Sequence, residues 1–419
     1  MASGEVRPLR PRGRVIAVAR FAALALVFVL IARVSLSQES DAGPVGAIEL
    51  RPGVYAACDA SALPLPTCGY DLYVVGEIHG SNEVVGFFLD YLERLRESIS
   101  LRDVALEASP AFERGVNEFV AGVAPTLPDL WYWELAGADT LSLLHGIRAV
   151  NETLPEDERI RVHLIDLDYG YEAIRRHVLA VRDGLGTAAD AIEIPSLTDF
   201  ERLSEGEMLD LVACLELVAS EQEGALDELQ GLRDSVRFRF VRGAVSRWEE
   251  AANECTAVRD GAIARNVLRL RDRWEGAPML VLFGGAHVQE ERILTGVVVG
   301  FRTVAIDEPY WVERLTGSGV DVFSLLICGL SGSVFSHDVL VRVAVDPDEL
   351  LFADGGTLRE LLADLPEGGL VYVDLQDGAN ALVTFGARFS PQTARFDPEK
   401  PAGEAFDGIV LFERLTPAR

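Results

Sequence analysis

Apolar and polar positions along this chain follow two alternating periods. Short apolar runs, each closing on a polar residue or a glycine, recur between longer stretches whose apolar positions fall three and four apart. Leu72–Val75 closes on Gly76 and Glu77, and Val104–Leu106 closes on Glu107. Val162–Ile165 leads into Asp166 and Asp168, and Met279–Phe283 into Gly284-Gly285-Ala286-His287. Between them, Glu83 to Glu97 places Val84, Phe87, Phe88, Tyr91 and Leu95 on one helical face. Pro110 opens a helix toward Val120, and Leu141–Val150 and Tyr171–Val181 are helical again. Such strand–helix alternation predicts an α/β fold, a mostly parallel sheet with helices on both faces.

The strand pattern stops between about residues 197 and 274. That stretch is rich in Glu, Asp and Arg, keeps a helical period and has few breakers, so it reads as two or three helices inserted between strands, a cap over a site. Beyond it, Val304–Ile306, Phe323–Cys328, Val371–Leu375 and Ile409–Phe412 read as strands and Thr357–Leu362 as a helix.

The amino terminus departs from this pattern. Arg7, Arg10, Arg12, Arg14 and Arg20 precede the apolar run Phe21–Ala32, and Ser35-Leu36-Ser37 follows as a small-x-small site. Residues 1–37 therefore read as a signal peptide, or as a membrane anchor through residues 15–34, with residues 38–47 as a linker and 48–419 as one α/β domain. The basic flank places the bulk of the chain outside the cytoplasm, whether secreted, periplasmic or membrane-anchored. In an oxidising compartment Cys58 and Cys68, which bracket a Pro-rich loop, are expected to pair as a disulfide, and Cys214 and Cys255 to pair across two helices. Cys328, in an apolar run, reads as a buried thiol. With 38 basic and 66 acidic residues the net charge is −28, which disfavours nucleic acid as a partner and otherwise reads as solubility; the partner expected is a small-molecule substrate.

An open parallel sheet binds ligands beyond the carboxyl ends of its strands. Those positions hold Glu77, His79, Gly80 and Glu83 after the first strand, then Glu107, Asp166 and, behind a glycine pair, His287. Histidine with neighbouring carboxylates is the equipment of general acid–base catalysis. Glu77 and His79, two apart, face the same way on an extended segment. Two readings of that loop stand side by side: an acid–base pair, or polar residues that cap the next helix. Arg259 and Asn266 share one helix face and point to the same site, or to a solvated, salt-bridged helix. No G-x-S-x-G elbow, HExxH or phosphate-binding loop is present.

Taken in order, the set resembles the erythromycin esterase family. Gly76-Glu77-Ile78-His79-Gly80-Ser81-Asn82-Glu83 is similar to its first loop, one residue shorter between Glu and His. Ala105-Leu106-Glu107, Trp133 through Asn151, Val162–Asp166, Arg259-Asp260 with Ala264 and Asn266, and Leu282–His287 resemble its later motifs, with Gly284-Gly285 in place of a His-Asn pair. Near the end, Phe406–Val410 and Leu415-Thr416-Pro417 resemble its closing strand, so the likeness runs from Tyr73 to the carboxyl terminus. The resemblance implies a hydrolase of esters or lactones without a cofactor, with His79 as general base and Glu77 and Glu107 orienting it. His287 and Arg259 would polarise the carbonyl oxygen, and Glu83, Asp166 and Asn266 would serve the substrate. The alternatives are a divalent-metal hydrolase or protease like the distantly similar TraB and Tiki proteins, with His79 and His287 as ligands, and a haem- or metal-binding protein.

Overall fold

The computed structural model describes residues 46–127, 138–220, 223–244, 251–299, 302–336, 339–362, 368–387 and 394–418. The segment expected to be a signal or anchor, residues 15–34 included, and Trp133 and His337 lie outside them. Among the described residues, no helix is long and apolar enough to cross a membrane.

Nine strands make the main sheet, numbered here in chain order: β1 (Ile48–Arg51), β2 (Val54–Ala57), β3 (Leu72–Glu77), β4 (Asp103–Leu106), β5 (Arg161–Leu164), β6 (Met279–Gly284), β7 (Val322–Gly329), β8 (Leu370–Asp374) and β9 (Gly408–Phe412). Their spatial order is β1-β2-β8-β9-β7-β3-β6-β4-β5. The six strands from β9 to β5 run parallel, and β8, β2 and β1 extend that sheet antiparallel at one edge. This is an α/β fold with a mostly parallel sheet. The run around Val304 departs from the pattern: Arg302–Val304 joins Leu294–Val299 and Ala394–Phe396 in a separate antiparallel sheet.

Among the described residues the longer helices are α1 (Asn82–Ile99), α2 (Glu113–Val120), α3 (Ala138–Asn151), α4 (Tyr171–Gly184), α5 (Glu205–Ala219), α6 (Glu223–Gly243) and α7 (Ala252–Arg273). Two-residue alternation sends successive β3 side chains to opposite faces. Tyr73 and Val75 pack with Val84, Phe87, Phe88 and Tyr91 of α1, while Leu72 and Val74 pack with Ile263, Val267 and Leu270 of α7. Each such fully buried side chain contributes about 1.5–3 kcal/mol. Ser81 caps α1 by accepting from the backbone N–H of Glu83 and Val84, and the helix ends where Ser100 turns left-handed at φ 56°.

Residues 197–274 contain a short turn of helix at Leu197–Phe200 followed by α5, α6 and α7. Met208, Val212 and Leu215 of α5 pack with Leu229, Leu232 and Val236 of α6 and with Ile174 and Val178 of α4, forming a core separate from the two that flank the sheet.

All five cysteines are free thiols, so the two expected disulfides are corrected. The Pro-rich loop between Cys58 and Cys68 is pinned instead by α1. Arg94 donates to the carbonyls of Ala60, Leu63 and Leu65, and the Tyr91 hydroxyl donates to that of Pro66 at 2.6 Å. Cys214 faces solvent on α5, whereas Cys255 is buried on α7 with Leu167 and Ala262, and α6 packs against both helices.

Candidate active site

The carboxyl ends of β3, β4, β5 and β6 open into one cavity of about 340 Å³, lined by residues that include Glu77, His79, Glu107, Arg259, Asp260 and His287. Glu77 is the last residue of β3, and its Oε1 lies 3.0 Å from His79 Nδ1. The chain turns at Gly80, whose φ of 85° suits glycine, and the Gly80 N–H is held by Asp139 Oδ2 at 2.5 Å. This fixes the His79 ring with Nδ1 toward Glu77 and Nε2 facing Glu107 Oε2 at 3.6 Å, too far for a direct hydrogen bond. The ring is 40% exposed, toward the cavity.

Glu107, just past β4, is held from two sides. Its Oε2 accepts the Gly284 backbone N–H at 2.7 Å, and its Oε1 accepts from Arg259. Arg259 descends from α7 and also grips Asp166, beyond β5, with two parallel bonds at 3.0 and 2.7 Å. Asp166 is fully buried and accepts as well from the Tyr169 hydroxyl at 2.7 Å. The remaining Arg259 arm donates to His287 Nε2 at 3.2 Å. An arginine has no acceptor, so His287 Nε2 carries the lone pair, and its Nδ1–H donates to Asp260 Oδ1 at 2.9 Å. Asp260 is fully buried and receives the Trp311 backbone N–H at 3.2 Å. The His287 ring sits edge-on to Tyr310, centroids 4.8 Å apart.

The glycine pair has a steric reason. A Cβ at Gly284 would lie 3.2 Å from Glu107 Oε2 and 3.3 Å from His79 Nε2. A Cβ at Gly285 would meet Leu326 Cδ1 at 2.9 Å. The absence of a side chain at Gly284 thus lets the strand lie close to both Glu107 and His79.

Charge compensation sets the ionisation of these groups. Burial opposes the charge on His79, but the carboxylates of Glu77 and Glu107, helped by Asp139, outweigh it and raise its pKa from 6.5 to about 10. Neutral titration, expected of an isolated imidazole, is thus displaced, and at pH 7 the ring is an imidazolium. Burial likewise opposes the charge on Glu107, but Arg259 and His79 hold its pKa down to about 2. Glu77 moves the other way, because burial raises it more than His79 lowers it.

His79, Glu77, Glu107, His287, Arg259 and Asp166 thus converge in space. Glu83 and Asn266 are engaged elsewhere. Glu83 accepts from Ser81 and from the Thr416 backbone and hydroxyl, tying α1 to the carboxyl-terminal segment, and Asn266 donates to the Ile165 carbonyl at 3.0 Å. Asp168 lies outside the cavity wall and binds His177 Nδ1 at 2.8 Å and the Ser109 hydroxyl. His163 is buried against Asp103 at 2.8 Å. Asp139, Asp260, Tyr169 and Tyr310 were not singled out from the sequence. Only Asp260 carried a signal there, as the neighbour of Arg259.

The Arg259 guanidinium competes with any divalent metal for this donor set: it lies between Glu107, Asp166 and His287 and takes a hydrogen bond to each. Among the described residues, no group of three or more His, Cys, Asp or Glu side chains is arranged to hold a metal ion.

No family model and no curated protein matches the sequence. Solved structures do resemble it. A Bacillus cereus protein shares 13% identity over 84% of this chain and 90% of its own, with a TM-score of 0.60. A succinoglycan biosynthesis protein shares 12% over 86% and 94%, with a TM-score of 0.57. A mutant of the erythromycin esterase EreC in its open conformation shares 14% over 83% and 92%, with a TM-score of 0.59. At such identities the likeness is one of architecture: this chain has an erythromycin esterase-like α/β fold.

Proposed function

We propose that this protein is a hydrolase in which His79 activates water against an ester or lactone. The observation that carries the reading is the placement of His79, with Nδ1 bound to Glu77 and Nε2 turned away from it, in a cavity that Arg259 and His287 also line. In the working form Nδ1–H donates to Glu77 and Nε2 is unprotonated. A water gives its proton to Nε2 as its oxygen attacks the carbonyl carbon. The oxyanion that forms takes an N–H from Arg259, in exchange for His287 as acceptor. The C–O bond then breaks, the leaving oxygen recovers the proton from His79, and the products are an acid and an alcohol.

Because the resting ring is protonated, the working form grows as pH rises toward about 10, and activity is expected to follow that alkaline limb. The basic and then apolar amino-terminal segment supports export, which puts the substrate, a small molecule, outside the cytoplasm.

The deciding experiment is a panel of ester, lactone and amide substrates assayed on wild type and His79→Ala. Metal analysis of the purified protein and a chelator arm run alongside. Ester or lactone cleavage that vanishes in His79→Ala and survives chelation is the expected result. Stoichiometric metal with chelator-sensitive cleavage would replace this mechanism with the metal-dependent one.

A further inference from the structure

The cavity has two chemically different ends. Its floor is the charged network already described, while its upper wall is built by α6 and α7 together with Ile306 and Tyr310. Phe238 and Cys255 make that wall largely apolar. At the rim stands Arg242, on the last turn of α6, exposed yet lining the cavity.

Arg242 differs from every other cation there. Arg259 is taken up by Asp166, Glu107 and His287, and His79 lies between Glu77 and Glu107. Arg242 has no hydrogen-bonding or ion-pair partner among the described residues. Its charge reaches the wall: burial pushes the Cys255 thiol up, and Arg242 draws it back down. In a chain with 66 acidic residues against 38 basic ones, a cavity-lining arginine with no carboxylate partner among the described residues can take one from a ligand.

We propose that Arg242 anchors a carboxylate of the substrate, so that the site takes small esters or lactones bearing an anionic group remote from the scissile bond. The intervening chain or ring lies against Phe238, Cys255 and Ile306, and the carbonyl reaches Arg259 and His79. This deepens the hydrolase reading and rests on it. One guanidinium matches one negative charge. A doubly charged phosphate would bring a second into a cavity already floored by Glu107 and Asp260, so the carboxylate is the better match. The volume of about 340 Å³ is at the small end of ligand cavities, which run to ~300–1,000 Å³.

Two esters of equal chain length test this, the 4-nitrophenyl monoester of glutaric acid and 4-nitrophenyl valerate, on wild type, Arg242→Gln and Arg242→Lys. Wild type is expected to favour the anionic ester in kcat/KM. Arg242→Gln should lower the anionic-over-neutral ratio about three- to tenfold, through KM rather than kcat, and Arg242→Lys should recover part of it. A ratio that Arg242→Gln leaves unchanged overturns the proposal. Calorimetric titration with monomethyl glutarate and methyl valerate is run on the same proteins. If neither ester is cleaved, the hydrolase reading fails and calorimetry decides the anion site alone. Monomethyl glutarate binding that weakens in Arg242→Gln supports the site, and absent or unchanged binding refutes it.

Discussion

Replacing Glu77 by Gln removes one charge and keeps an oxygen to accept from His79 Nδ1, so it isolates the electrostatic part of their contact. The two atoms are 3.0 Å apart. Coulomb's law gives about 5.5 kcal/mol at an effective dielectric constant of about 20, and about 1.4 kcal/mol in bulk water. Because the ring is 40% exposed, screening brings the effect toward the lower figure, and about 1.5–3 kcal/mol is the reasonable span. That is about 1–2 pKa units, so His79, at about 10 in the native protein, should titrate near 8–9 in Glu77→Gln. The sign has a consequence for stability. A histidine raised above its unfolded value of 6.5 stabilises the fold fully below that pH and loses the contribution as pH rises through about 10. In Glu77→Gln the contribution should be smaller and the loss complete at a lower pH. Histidine Cε1–H resonances followed by NMR from pH 6 to 11, assigned with His79→Ala, measure the midpoint directly. The alkaline limb of ester hydrolysis should move with it, while the plateau rate falls because the imidazolium formed during attack has lost its partner. An unmoved or raised midpoint would refute the electrostatic account of this site.

Other perturbations test other parts of the network. Arg259→Gln leaves Asp166 buried without its cation and should destabilise by about 3–5 kcal/mol, read by urea denaturation, besides abolishing hydrolysis. Gly284→Ala places a methyl 3.2–3.3 Å from Glu107 and His79; kcat is expected to drop at least tenfold while stability falls by about 1–3 kcal/mol, and an enzyme with unchanged kcat would show that the close approach has no functional weight. Asp168→Asn strips His177 of its ion-pair partner, which should cost about 3–5 kcal/mol. Since His177 is raised in the folded protein, that deficit should be largest near and below pH 6.5 and shrink as pH climbs past the raised value, a trend that denaturation curves at several pH values would expose or contradict.

The local part of this architecture was legible in the chain. Leu72–Glu77, Asp103–Leu106, Arg161–Leu164 and Met279–Gly284 are strands within a residue or two of the apolar runs that predict them, because burial on both faces demands continuous apolar sequence. Parallel strands put their carboxyl ends at one edge, so Glu77, His79, Glu107, Asp166 and His287 could be listed together before any coordinates. Pairings between distant segments were not legible. Glu83 and Asn266 read as site residues from their positions, yet found Thr416 and the Ile165 carbonyl, partners that only the packed chain brings near. The cysteines suggested bridges, while Arg94 and Tyr91 already satisfy the loop between Cys58 and Cys68.

By itself, then, the sequence determined the strand–helix order, the sheet class and the edge where polar side chains gather, since these follow from periodicities of two and of about 3.6 residues. The tertiary structure alone decided what those side chains are chemically. It brought Asp139 to the turn at Gly80, Asp260 to His287 and Arg242 to the cavity rim. By setting Glu77 and Glu107 on either side of His79, it turned a histidine of ordinary basicity into one that holds its proton to about pH 10. Charge interactions depend on distance through space, and distance along the chain does not determine it.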